Sequence, residues 1–188
     1  MKLKDSKLAD SLRKAYSAEK AAAFAYVGHA ASLRVGKERE AVREIEVDEW
    51  NHRENVLAIM RQYGVPVSRW YEIKYHLIGK LIGLSCHLIG RFMPYFFAGK
   101  LESGNVCEYF VMMQRFHALD IREHDEVLHE MGIKEKEHEV YFLEVIRDVS
   151  WLPFFEKIFR WGTDHSSNDV DLDSPKSPER SDSYCTRE

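Results

Sequence analysis

Two glutamate–histidine pairs stand out by residue type and spacing: Glu49 with His52, and Glu135 with His138. Three positions apart on a helix places both members of a pair on one face. Steps of three and four through the first pair run Val42, Ile45, Glu49, His52, Val56, Ile59. The same steps through the second run Leu128, Met131, Glu135, His138, Phe142, Val145, Val149. Apolar residues thus bracket each pair, and polar groups facing a core are costly unless something compensates them. A divalent cation compensates them, because carboxylate oxygen and imidazole nitrogen are both good donors to a first-row metal.

Two further helical stripes each offer one inward carboxylate. Leu12, Tyr16, Glu19, Ala23, Tyr26, Ala30 and Leu33 form one, and Ala98, Glu102, Val106, Tyr109, Met113 and Phe116 the other. Glu19 precedes Glu49 by 30 positions and Glu102 precedes Glu135 by 33, so helical hairpins with near-equal arms bring these levels together. Glu108 lies closer to Arg115 and is the weaker choice. Glu126 with His129 is a rival pair, but its stripe passes through Arg122 and Lys136 and reads as solvated. The full set is one Glu from each of two helices and Glu-x-x-His from each of two others. Ferritin-like di-iron and di-manganese bundles use that ligand set.

The elements that must carry these residues are helices. Only five prolines occur in 188 residues, and the periodicity is helical throughout the body, so the chain reads as all-α. Helices are expected from about Lys7 to Arg34 and from about Glu38 to Tyr63, the second stopped by "GVP". Ser68 caps a long apolar segment reaching about His117, interrupted near Pro94. A further helix is expected from about Asp120 to Val149, and a short aromatic one at "SWLPFFEKIFRW". Short connections favour an antiparallel four-helix bundle over residues 1–161, with an apolar helical insertion before the third ligand helix.

Composition fits a soluble globular body: 45% of residues are hydrophobic and 31% charged. From Gly162 onward seven acids oppose three bases, so this stretch carries the whole formal charge of −4. The body is then neutral, which argues against nucleic acid as a partner. Residues 162–188 are acidic and nearly free of apolar side chains, and are expected to be disordered. The N-terminal stretch lacks the apolar core of a signal peptide. Cys86, Cys107 and Cys185 form no disulfide framework, which points to a reducing, cytoplasmic compartment.

With these residues in place, the chain resembles the demethoxyubiquinone hydroxylases of ubiquinone biosynthesis, within the ferritin-like superfamily. "EKAAAFAYVGHA" resembles the family's first-helix motif, "EWNH" and "EKEH" its two Glu-x-x-His motifs, and "AGKLES" its third-helix ligand region. The resemblance spans about residues 8 to 147. It implies two iron ions, with manganese as the alternative, that bind O2 and hydroxylate a lipophilic quinone-like substrate using an external electron donor. Glu49 and Glu135 would bridge the metals, Glu19 and Glu102 would be terminal carboxylates, and His52 and His138 nitrogen ligands. Tyr26 and Tyr109, seven residues after Glu19 and Glu102, would stand behind the ligands as donors or redox-active phenols, or else pack as ordinary core.

A lipophilic substrate would suit peripheral contact with the inner face of a membrane. Gly79, Gly83 and Gly90 permit close helix approach, and "WLPFFEKIFRW" has the aromatic and basic mix of an interfacial helix. Packing on the bundle or in a homodimer is the plain alternative. His29, His76, His87 and His117 receive no role. The competing functions are a rubrerythrin-like peroxide reductase, a ferritin-like iron store, and a metal-free helical interaction module.

Overall fold

The N-terminal helix, α1 (Ser6–Ser32), begins where the Asp5 side chain accepts hydrogen bonds from the amides of Lys7 and Leu8, satisfying two donors that a helix start leaves open. Next comes α2 (Lys37–Gln62). It stops in a left-handed turn at Gly64 (φ 63°), with Val65 N–H donating to Met60 O and Gly64 N–H to Arg61 O. That paired closure needs a residue free to adopt positive φ. Ser68 caps α3 (Arg69–Ser85), accepting from Tyr71 N–H at 3.3 Å.

The computed structural model describes residues 3–163, and their secondary structure is six helices. The remaining three are α4 (Phe92–His117), α5 (Asp125–Ile146) and α6 (Leu152–Phe159). The all-helical expectation holds. The break in the long apolar segment lies elsewhere than expected, at residues 86–91, where Gly90 turns at φ 77°. Pro94 instead sits in the first turn of α4. Its missing N–H is harmless there, because first-turn amides have no intrahelical acceptor. Residues 164–188, to which most of the expected disordered tail belongs, lie outside the described residues.

The chain divides into two compact units, Met1–Arg91 and Phe92–Glu188. In the first, α1 packs against both α2 and α3. The α1–α3 contact is backbone on backbone: a Cβ built on Gly28 would lie 2.3 Å from Gly83 Cα, and one on Gly79 would lie 2.5 Å from Ala21 O. Two of the three glycines expected to allow close approach therefore serve packing within the unit; Gly90 serves a turn.

In the second unit α4 packs on α5. Gly132, in the middle of α5, faces Tyr109 Cβ, 3.9 Å from where its own Cβ would be. One face of α6 stacks on α4 through Phe155 and Phe159 against Phe92, Phe96 and Phe97. Its other face leaves Trp151, Phe154 and Ile158 exposed. The outer face of α3 is similar, with Trp70, Ile73, Leu77, Leu81 and Leu84 each more than half exposed. No described helix is long and apolar enough to cross a membrane.

Candidate metal centre

Each unit assembles three of the six expected ligands. In the first, α1 supplies Glu19 while α2 supplies Glu49 and His52, and one ligand atom of each lies within 4.8 Å of the others. In the second, α4 supplies Glu102 while α5 supplies Glu135 and His138, with the same mutual spacing. All six side chains are buried, none above 4% exposed. The apolar brackets explain why: Val42, Ile45, Val56 and Ile59 are buried on α2, as are Leu128, Met131 and Phe142 on α5.

Two carboxylates held within 4.8 Å repel. With both ionised, the repulsion at an effective dielectric near 20 would be about 3.5 kcal/mol in each half-site. A cation between them converts repulsion to attraction, so the donor set fits a first-row divalent metal on chemical grounds. In the second half-site Asn105 Nδ2 relieves part of the strain, donating to Glu102 Oε2 at 2.9 Å and to Glu135 Oε2 at 3.4 Å. His138 Nδ1 stands 4.0 Å from Glu135 Oε2.

Tyr26 and Tyr109 are both buried, at 4% and 2% exposure, one on each of the helices that supply a single carboxylate. Glu108 and Glu126 are exposed, and His129 is half-buried, so neither weaker alternative joins a half-site. Of the histidines given no role, His87 is exposed and His76 is half-buried against the Phe24 ring. His117 Nε2 lies 2.7 Å from Asp125 Oδ1. His29 is buried, and desolvation, only partly opposed by Glu38, lowers its pKa to about 4.

No protein-family model, curated protein or solved structure matches the chain. The site therefore rests on its own geometry.

Several polar residues around the half-sites escape a reading of stripes. Asn105 is one. Arg53 and Glu139, each directly after one of the two expected ligand histidines, are buried although their types suggest solvent. Arg53 is held by Glu72 on α3, at 3.0 Å and 2.9 Å. Burial alone would raise the Glu72 carboxyl, but hydrogen bonds from Arg53, Lys20 and Ser17 outweigh it and hold the pKa at about 2. Glu139 accepts from Trp161 Nε1 at 2.7 Å. The signal available in the sequence was adjacency: a charged residue next to an inward histidine sits at the edge of the buried stripe. Cys86 is a free, buried thiol, and Cys185 lies outside the described residues.

Proposed function

We propose that the two half-sites close on one another as a dinuclear iron centre in a ferritin-like four-helix bundle, and that the protein is an O2-dependent hydroxylase of a lipophilic, quinone-like substrate. The observation that carries this reading is duplication. Each unit, by its own packing, buries one glutamate beside a Glu-x-x-His pair. A single ion would need only one such set, two carboxylates and an imidazole, with one position left open. Two matched sets with four carboxylates supply the charge that balances two divalent cations.

In this centre Glu19, Glu49, Glu102 and Glu135 would hold the metal through carboxylate oxygens, and His52 and His138 through ring nitrogens. Iron, when bound, supplies the redox chemistry with O2. The chain supplies the rest. Asn105 orients the Glu102 and Glu135 carboxylates through its two N–H donors. Tyr26 and Tyr109 offer buried phenols on the Glu19 and Glu102 helices, and the surrounding apolar side chains exclude water. The exposed apolar faces of α3 and α6 favour a lipophilic substrate taken from a membrane surface, which these helices would meet peripherally. Electrons come from an external donor.

The test is anaerobic loading with Fe(II), followed by metal analysis. About two irons per chain are expected in the wild-type protein, lost in Glu49→Ala and Glu135→Ala. Loaded protein should then consume O2 in the presence of a reductant and a short-chain quinone analogue. Turnover of H2O2 without oxidation of the organic substrate would move the assignment to a peroxide reductase. A stably folded chain that holds no metal would leave only a helical interaction module.

A further inference from the structure

Both ligand hairpins carry a third element that ties their two helices together at the level of the ligands. In the first unit that element is Glu72 on α3. Its Oε1 accepts from Ser17 Oγ at 2.8 Å and from Arg53 at 3.0 Å, and its Oε2 accepts from Lys20 Nζ at 3.0 Å and from Arg53 at 2.9 Å. Ser17 and Lys20 flank the ligand Glu19, and Arg53 directly follows the ligand His52. Arg53 also donates to Tyr16 O and lies 3.6 Å over the Tyr16 ring. One carboxylate thus grips α1 on either side of one ligand and α2 immediately after another.

In the second unit the element is Trp161, beyond the end of α6. Its indole Nε1 donates to Glu139 Oε1 at 2.7 Å, and Glu139 directly follows the ligand His138. The far edge of the same ring fills the space beside Gly99 on α4, where a Cβ would lie 2.4 Å from Cη2. Gly99 stands three residues before the ligand Glu102. Trp161 and Glu139 are 2% and 0% exposed, so the bond lies out of water. The chemistry of the two ties differs, an ion pair in one and an indole–carboxylate bond in the other. Their placement is the same.

We infer that Glu72 and Trp161 are positioning residues for the two metal half-sites. Each fixes the rotation of its ligand helices about their own axes by anchoring the residue next to the ligand histidine. This rests on the metal-binding reading above. Neighbouring helical residues point about 100° apart, so a side chain held at one position sets the direction of the next. A ligand atom lies roughly 6 Å from the helix axis, and a rotation of about 10° would move it by about 1 Å. Displacement on that scale loosens a metal site whose ligands are otherwise intact.

The experiment is a Mn(II) titration of the full chain followed by electron paramagnetic resonance, run beside urea unfolding of the metal-free protein. The variants are Glu72→Ala, Glu72→Gln and Trp161→Phe, the last keeping the ring but losing the N–H donor. Tyr71→Phe and Lys100→Met serve as controls, removing the Tyr71–Asp10 and Lys100–Phe159 bonds made by the same two units. Expected is a roughly 10- to 100-fold loss of Mn(II) affinity in Glu72→Ala and Trp161→Phe, the range usual for residues that orient ligands. Glu72→Gln, which keeps the shape of the tie, should recover part of the loss, and it stands in should Glu72→Ala fail to fold. The controls should bind as wild type at whatever stability they have.

Wild-type affinity in Glu72→Ala and Trp161→Phe would overturn the inference while leaving the metal centre standing. So would an affinity loss that follows unfolding stability equally in variants and controls, since that is a structural role alone. Absence of Mn(II) binding by the wild-type chain would remove the metal reading itself, and with it this one.

Discussion

Replacing Gly28 by alanine should destabilise the protein even though it improves the intrinsic helix preference. The new Cβ would lie 2.3 Å from Gly83 Cα and 2.4 Å from Gly83 C and O. Ordinary contact begins near 3.4 Å, so α1 and α3 must separate by about 1 Å. Backbone cannot rotate aside as a side chain can. Overpacking of this kind costs about 1–3 kcal/mol or more, against a helix-propensity gain of about 1 kcal/mol. The net expectation is a loss of up to about 2 kcal/mol. Gly104 supplies the control, since it sits inside α4 with nothing within 4 Å of its would-be Cβ. Gly104→Ala should therefore stabilise by about 0.5–1 kcal/mol through propensity alone. Urea unfolding midpoints, at constant slope, measure both. A Gly28→Ala chain as stable as Gly104→Ala would refute the backbone contact between α1 and α3.

Three other outcomes are expected. His29 titrates near 4 in the fold and near 6.5 when unfolded, so its contribution is complete above pH 6.5 and is lost as pH falls toward 4. At pH 5 the loss is about 2 kcal/mol relative to pH 7.5, and a His29→Gln variant should show a flatter unfolding profile over that window. Asn105→Asp places a third carboxylate 2.9 Å from Glu102; the metal-free variant should unfold several degrees below wild type, with Mn(II) recovering more of the thermal midpoint than it adds to wild type. Finally, Mn(II) at about 100 times its dissociation constant should stabilise the wild-type chain by about 2.7 kcal/mol per site, read as a concentration-dependent midpoint that a chelator reverses.

The ligand stripes were legible because burial leaves a periodic trace. Val42, Ile45, Val56 and Ile59 mark a face whether or not its partner is known, and Glu49 and His52 fall on it. The break between α3 and α4 was not legible. His87, Gly90 and Arg91 interrupt the apolar run at residues 86–91, but Lys80, Gly79 and Gly83 interrupt it equally inside α3, and Pro94 offered a more conspicuous breaker. Proline in a first turn breaks nothing. The two ties were hidden for a different reason. Arg53 and Glu72 are 19 residues apart, and Glu139 and Trp161 are 22 apart, so each bond is made by tertiary packing alone. Adjacency to an inward histidine hints that such a charge is buried, but says nothing of the distant partner that holds it.

The glycine seam between α1 and α3 also bears on what happens at the far side of α3. Gly79 and Gly83 leave no side chain to act as a bearing, and the Tyr71–Asp10 and Glu72–Lys20 bonds pin the same helix at its start. The helix has little freedom to roll. Its outer row of Trp70, Ile73, Leu77, Leu81 and Leu84 is therefore presented as a fixed straight edge. A surface that meets this edge does not have to order it, and the entropy that usually opposes association is spent during folding.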